Sequence, residues 1–460
     1  MINPLAATAT TAEAMGCSPD ATGLENAAAL QKALDVGGTV TLTEPGIYRI
    51  AATVLIKSDT RLIFGHGVRL QKVDEAGPFC HVLLNRGALT RTFDERITIE
   101  NLFLEVNSVD LREKQVPGLR GQIALFYVRD ARIIGFRCVD LSTWQFAIHV
   151  CTFEDLIIED AIIKGEKDGV HLGRGRRFRI SRCVFQTNDD AVALNAQDYA
   201  TSNPELGWIE QGIVEGCTDL AQGNKRTGFF CRILAGGWGD WSAGMEVQHS
   251  DTVVHAGRVY RVYAEPDGRT YCSQTPPQHE RGLEVIDGIP WQMVQPEAIY
   301  TAGVRHVTFR DITLEKPRRS FSIHFDHNEY NRSYYPGGVV PVQQSLHFEH
   351  VRILHDEPLP AVIISSPFDQ LTLRDCTLGP QGIEIQDKVP VPLSTPSTIQ
   401  LIGCTFSHPA EQVLMINRRP NAPVRLKTFH SITTQPNFSA SVETPDHAET
   451  TLDSDLPGLA

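Results

Sequence analysis

Three stretches, FAIHV (146–150), DGVHL (168–172) and DAVAL (190–194), repeat one phrase at offsets of 22 residues. Between them run LIIEDAII (156–163) and RFRISRCVF (177–185), again about 22 residues apart. Each unit therefore holds two or three short strands separated by tight turns. A fixed period of this length is the signature of a parallel β-helix, in which each coil is one rung and equivalent strands stack into long parallel sheets. The spacing predicts an all-β chain of this architecture.

The pattern extends in both directions. IALFYV (123–128) and ARIIGFRCV (131–139) read as an earlier rung, and RHVTFRDITL (305–314), FSIHF (321–325), SLHFEHVRIL (345–354), QLTLRDCTL (370–378) and TIQLIGCTF (398–406) as later ones. One helical pattern stands out, ENAAALQKALD (25–35), stopped by Gly37-Gly38. It is expected to cap the N-terminal end of the solenoid, where strand edges and apolar surface would otherwise be open. Residues 246–294 break the rhythm with turn signals such as Pro-Asp-Gly and Pro-Pro and with alternating VYRVY and WQMV runs, which predicts a small inserted β module. The expected organisation is a β-helix over 1–245, the module over 246–294, more β-helix over 295–430, and an irregular tail rich in Thr, Pro, Ser and Asp over 431–460.

The 460 residues suffice for a large core or two to three average domains. The composition, 42% hydrophobic and 21% charged, is that of a globular chain, and a net charge of −13 argues against nucleic acid as a main partner. Arg174, Arg176, Arg177 and Arg179 form a local basic excess that would suit either an anionic ligand or a solvated face. No apolar run reaches the roughly 18–20 residues of a membrane span. The N-terminus lacks a basic region and a continuous apolar region, so the expected location is the cytoplasm, or outside the cell if a leader has been removed. Ten cysteines are too few for a disulfide scaffold. Cys138, Cys183, Cys217, Cys376 and Cys404 each close a β-like run and read as small buried hydrophobes. No CxxC pair favours zinc, and the reading calls for no metal or cofactor.

Strand side chains alternate between faces. Ile148, Val170 and Val192 are assigned inward, and His149 and His171 outward as neighbours one strand spacing apart, about 4.8 Å. Asp168 and Asp190 stack at the strand mouths, with Asp189 beside them. Stacked carboxylates repel, so at least one is expected to keep its proton to a raised pH. A carboxylic acid beside a carboxylate is the equipment of glycoside hydrolysis.

EKDGVHLGRGRRFRISRCVFQTNDDAVALN (166–195) resembles the signature of the polygalacturonase-like glycoside hydrolases, family 28. Asp168-Gly169 and Asp189-Asp190 match that family's Asp-Gly and Asp-Asp at the expected spacing. The lead-in ENAAALQKALD with GGTVTLTEPGIYRI (37–50) is similar to the opening of the pectin-lyase-like superfamily. The resemblance covers most of the chain as architecture and about 30 residues as motif. It implies a right-handed, single-stranded parallel β-helix. It further implies that one of Asp168, Asp189 and Asp190 acts as general acid while the other two activate water, with inversion at the anomeric carbon. Glu166-Lys167 replace the family's Asn-Thr, no Gly-His-Gly follows Asp190, and Arg232-Ile233-Leu234 stands where the family has Arg-Ile-Lys. The chemistry motif is thus kept better than the substrate motif, and a sugar other than polygalacturonate is expected.

His149 and His171 are assigned to substrate binding or to orienting the acid. Arg232 and the loop aromatics Trp238 and Trp241 of GFFCRILAGGWGDW (228–241) are assigned to substrate, since aromatic faces stack on sugar rings. Asp326 and His327 of FDHNEYNRSYY (325–335) join them, with Tyr330, Arg332 and Trp208 as weaker candidates. The leading function is a glycoside hydrolase on an oligo- or polysaccharide, in a protein that is a monomer or homo-oligomer. Cleavage from a chain end would fit an imported oligosaccharide. A second reading is a lyase using calcium held by Asp168, Asp189 and Asp190, with Lys167 or Arg232 as base, or an intramolecular glycosyl transferase. A third is a non-catalytic glycan-binding β-helix of the phage-tail or adhesin type.

Overall fold

A computed structural model describes residues 9–109, 115–223, 226–388, 396–406, 411–419, 423–434, 437–444, 450–456 and 459. The chain divides into two compact units, residues 1–171 with 176–191, and residues 172–175 with 192–460.

The first unit is a stack of parallel rungs. One inward row runs Val54, Leu83, Ile123, Ile148, each paired with the next in register and each fully buried. A second runs Leu62, Ile99, Ile133, Ile158, and a third Leu70, Leu104, Cys138, Ile163. These are the every-second residues of the repeated phrases. Burying each such aliphatic side chain contributes about 1.5–3 kcal/mol. The rungs turn at two recurring corners. Asp59, Arg96, Asp130, Asp155 and Arg177 occupy one with φ between 49° and 59°; Asn101, Gly135, Asp160 and Arg182 occupy the other, again with positive φ. Left-handed backbone is unfavourable for arginine. Ion pairs between successive rungs hold it there: Arg96 on Asp59 at 2.6 Å, Arg177 on Asp155 at 2.7 Å, Arg182 on Asp160 at 2.8 Å.

The expected helix spans Gly23–Val36 and starts two residues before the apolar pattern does. Thr22 and Glu25 form a reciprocal capping box that fixes this start. Ala27, Leu30, Ala33 and Leu34 are its buried face.

The second unit continues the same grammar. Val192, Cys231, Phe321, Val362 and Ile383 form one inward row, and Phe309, Phe348, Leu373 and Leu401 another, with the two Phe rings stacked at 5.0 Å. The tail does not become irregular at 431. Strands Ser439–Glu443 and Thr450–Asp453 pair in parallel with Glu411–Asn417 and Val424–Phe429. The segment expected as a module carries antiparallel strands Thr252–His255, Arg258–Val262, Leu283–Ile286 and Ile289–Gln295. Its own core is Met245, Val247, Val253, Tyr260, Val262, Ile289, Trp291 and Met293.

All ten cysteines are free, and all but Cys272 are buried. Cys183, Cys217 and Cys376 each donate to the carbonyl two residues back, at 3.3 Å. This repeated corner contact explains why they recur in one sequence context.

Candidate active site

Asp168 and Asp190 head consecutive rungs of the first unit. The backbone stacks them directly: Ala147 N–H donates to Asp168 O at 3.0 Å, and Gly169 N–H to Asp190 O at 2.9 Å. Gly169 is required by close packing, since a Cβ there would lie 2.6 Å from Ala191 O and 2.8 Å from the Phe185 ring. With the rungs so stacked, Asp168, Asp189 and Asp190 each place a carboxylate oxygen within 4.8 Å of the others. Asp190 is 1% exposed and Asp168 4%, whereas the Asp189 side chain retains 31%. Two carboxylates about 4 Å apart repel by roughly 4 kcal/mol at an effective dielectric of 20. The site answers that cost with two neighbours.

The first is Lys167, whose ammonium is ion-paired with Asp189. Burial lowers its proton affinity, but Asp168 and Asp189 outweigh burial and hold Lys167 above its ordinary value. The second is His171, whose Nδ1 lies 2.9 Å from Asp168 Oδ2. By distance the three acids could cradle a cation. The Lys167 ammonium already supplies positive charge there, so the donor set fits acid–base work better than metal binding.

His149 and His171 are neighbours, with ring centroids 4.6 Å apart. They are not exposed, however, and both are fully buried. His149 shares a row with Leu84 and Ala124, and Val116 and Leu119 pack over that face. Arg120 N–H donates to His149 Nδ1 at 3.0 Å. His171 stacks on Phe146 at 4.2 Å, and the Arg120 guanidinium lies 4.9 Å over the same Phe146 ring. His171 therefore supports Asp168 from behind, and His149 is buried beside it. Sequence reasoning missed Arg120 and Phe146, and it offered Lys167 as the base of a lyase, not as the partner of Asp189. Lys167 and Asp189 are 22 residues apart, as are Glu166 and Asn188, which hydrogen-bond at 3.0 Å, so the period that aligned the aspartates also held this signal.

The second unit has its own polar group. Arg232 is ion-paired with Asp326, joining two of the expected residues. His324, which was not singled out, completes it: Nε2 lies 3.0 Å from Asp326 Oδ1 and Nδ1 contacts Ser322 Oγ. These alternate residues face one side of strand Phe321–His324 and its continuation. Burial pushes the Asp326 carboxyl up, but Arg232 and His324 outweigh it and hold it well below the usual carboxylate range. Burial in turn lowers His324. Tyr199, beneath the Arg232 guanidinium at 5.9 Å, is pushed up to about 12, chiefly by burial. His327 is exposed and takes no part in this pair.

The expectation for Trp238 is corrected. Trp238 is 1% exposed and donates Nε1–H to Ile299 O at 2.7 Å, so it is packed into the loop and offers no face to a ligand. Trp241 packs against the module core and donates to Ser273 Oγ at 2.8 Å. Trp208 donates to Thr301 Oγ1 at 3.3 Å and lies under Arg305. Arg332 binds buried Asp251 at 2.8 Å, which ties the segment after His324 to the module. The local arginines are likewise committed: Arg174 to Glu297 at 2.5 Å, Arg176 to Glu154 at 3.2 Å, Arg177 to Asp155, and Arg179 to Glu159 at 3.8 Å. The pairs of Arg176, Arg177 and Arg179 run between neighbouring rungs.

No family model matches the chain, and no curated protein matches it. Solved structures do. The catalytic unit of a family 87 α-1,3-glucanase from Streptomyces thermodiastaticus aligns with a TM-score of 0.55 at 11% identity, over 99% of this chain and 69% of that one. The N-terminal fragment of bacteriophage Phi29 gene product 12 aligns with a TM-score of 0.54 at 11% identity, over 97% and 72%. The chain has the parallel β-helix fold. The family 28 exopolygalacturonase of Yersinia enterocolitica aligns more loosely, with a TM-score of 0.45 at 12% identity over 96% and 79%, and lends no weight to a family assignment. Among the described residues no helix is long and apolar enough to cross a membrane.

Proposed function

We propose that this β-helix is a glycoside hydrolase in which Asp168, Asp189 and Asp190 perform acid–base hydrolysis of a carbohydrate. The observation that carries the reading is their convergence within 4.8 Å, with Lys167 on Asp189 and His171 on Asp168. Folding alone does not call for three mutually repelling acids in one spot. One carboxyl gives a proton to the departing glycosidic oxygen, and the other two hold and deprotonate water. Their separation is tighter than the roughly 6.5–9.5 Å between acid and base that flank a water. In this reading the water is therefore gripped by two carboxylates, compatible with the inversion that the family 28 resemblance implies.

The lyase alternative loses ground because both of its candidate bases are engaged, Lys167 with Asp189 and Arg232 with Asp326. The fold does not separate an enzyme from a binding protein, since a glucanase and a phage protein share it. The test is digestion of a glycan panel by wild type and Asp190→Asn. New reducing ends without an ultraviolet-absorbing unsaturated product, lost in the variant, are expected. Binding without turnover across the panel would replace the enzyme reading with a glycan-binding one.

A further inference from the structure

We propose that Trp144, on the rung before Asp168, is a platform on which a pyranose ring of the substrate glycan stacks. The inference rests on the hydrolase reading above and names a substrate-binding residue for it.

Of the five tryptophans, all among the described residues, Trp144 alone is exposed, keeping 39% of its surface. Trp208 and Trp241 are half-buried, and Trp238 and Trp291 are buried. The local chain explains the difference. Leu141, the last residue of strand Arg137–Leu141, pairs with Gly165, and Gly165 pairs with Thr187. On the far side of each loop, Ala147 N–H donates to Asp168 O and Gly169 N–H to Asp190 O, which stacks Phe146, Asp168 and Asp190. The later two rungs close this gap with two residues each, Glu166-Lys167 and Asn188-Asp189. The earlier rung uses four, 142–145. Two extra residues between ends held at the same spacing have to bow away from the stack, and Trp144 sits in that bow.

The bow is anchored. Arg120 donates from Nε and Nη2 to Trp144 O, at 3.0 and 2.5 Å. The same guanidinium lies over the Phe146 ring, which stacks on His171, which in turn contacts Asp168. A short chain of contacts thus fixes the Trp144 backbone relative to the acids, with Arg120 as a positioning residue.

An indole seated on the apolar C–H face of a pyranose chair removes area from water on both partners, while the hydroxyls at the ring edge stay solvated. One rung is about 4.8 Å high, close to the length of one sugar residue in a chain. A glycan laid across the rungs therefore rests one ring on Trp144 while a later ring reaches the half-exposed Lys167–Asp189 pair. The class of ligand this selects is an oligosaccharide of pyranose rings long enough to span both places. A single glycoside reaches only one of them.

The test uses the full chain carrying Asp190→Asn, so that binding is read without turnover. Malto-, cello-, galacto- and galacturono-hexaoses are titrated against it, with tryptophan emission and calorimetry read together. A hexaose that binds is expected to shift the emission to the blue. Adding Trp144→Ala is expected to abolish the shift and raise Kd about tenfold, and Trp144→Tyr to restore most of the affinity. If the alanine variant does not fold, Trp144→Leu takes its place. In the otherwise native protein, Trp144→Ala is expected to raise KM for the cleaved hexaose about tenfold with a smaller change in kcat, and to change KM for the matching nitrophenyl monoglycoside far less. A hexaose cleaved with the same KM by wild type and Trp144→Ala overturns the platform and leaves the hydrolase reading standing. Binding that Trp144→Ala weakens, in a protein that cleaves none of the hexaoses, upholds the platform and sinks the hydrolase reading. Affinity indifferent to Trp144 overturns the platform whatever the activity, and neither binding nor cleavage of any hexaose overturns both.

Discussion

His171 Nδ1 lies 2.9 Å from Asp168 Oδ2, while the same ring stacks face to face on Phe146 at a centroid distance of 4.2 Å. The imidazole is held on one side by an acid and on the other by a hydrocarbon surface, so its orientation is fixed before any ligand arrives. Replacing His171 with alanine frees Asp168 to shift. A displacement of about 1 Å costs on the order of 100-fold in rate. The expected outcome for His171→Ala is a fall in kcat of that size with KM little changed, read by steady-state kinetics. An equal rise in KM instead would make His171 a substrate contact.

Each of Asp168→Asn, Asp189→Asn and Asp190→Asn is expected to lower hydrolysis of natural glycans by about 10²–10⁴. Thermal midpoints are measured alongside, since Asp189→Asn and Asp168→Asn also remove the partners of Lys167 and His171 and are expected to lower the midpoint. Full activity in any one of them would remove that residue from the machinery.

With the Lys167 ammonium seated against Asp189, treatment with a strong chelator is expected to leave turnover and thermal midpoint unchanged. Activity abolished by the chelator, restored by calcium and yielding an unsaturated product would transfer these aspartates to a lyase.

Asp326 links stability to pH. Its folded carboxyl is held below the ordinary value by Arg232 and His324. Its contribution is therefore complete above about pH 4 and is lost as pH falls through the lowered folded value. Asp326→Asn leaves Arg232 without this partner and is expected to cost about 3 kcal/mol near neutrality. The gap between variant and wild type should narrow as pH drops below about 4. Denaturant titrations at a series of pH values read this; a gap independent of pH would show that the pair does not set it.

Arg261 of the module is 1% exposed, and its Nε and Nη2 have no hydrogen-bond partner among the described residues. Burial lowers it to about 10. A buried cation short of partners is a liability, and a hydrophobic residue of similar volume is commonly better tolerated. Arg261→Met is expected to raise stability by about 1 kcal/mol, seen as a higher denaturation midpoint. A clear loss would mean that the guanidinium holds the module in place.

The rungs were legible because their inward residues are small and aliphatic at a strict period: Ile148 and Val170 mark it without any tertiary knowledge. The acids were legible for the same reason. What covers a face was not. Alternation puts His149 on the outer side of its strand, but Arg120, 29 residues earlier in the chain, donates to its Nδ1, and Val116 and Leu119 pack with Leu84 and Ala124 of the same row. Trp238 failed for a related cause, since a Gly-rich loop reads as exposed until Ile299 O is found against its ring nitrogen. The helix start could have been read from the sequence, as Thr22 and Glu25 carry a capping box three residues apart. The pairing of Lys167 with Asp189 could have been read too, had the 22-residue offset been applied to the residue beside Asp168.

Two left-handed corners recur along the first unit, and at three places an arginine on an aspartate ties one rung to the next. They make each turn a tread of equal height on one staircase. The 22-residue cassette between the Asp155 and Arg177 corners carries its own inward side chains. The acids hang from the loops ahead of the strands, outside that joinery. Their chemistry can be exchanged by rewriting four or so loop residues while the staircase keeps its rise.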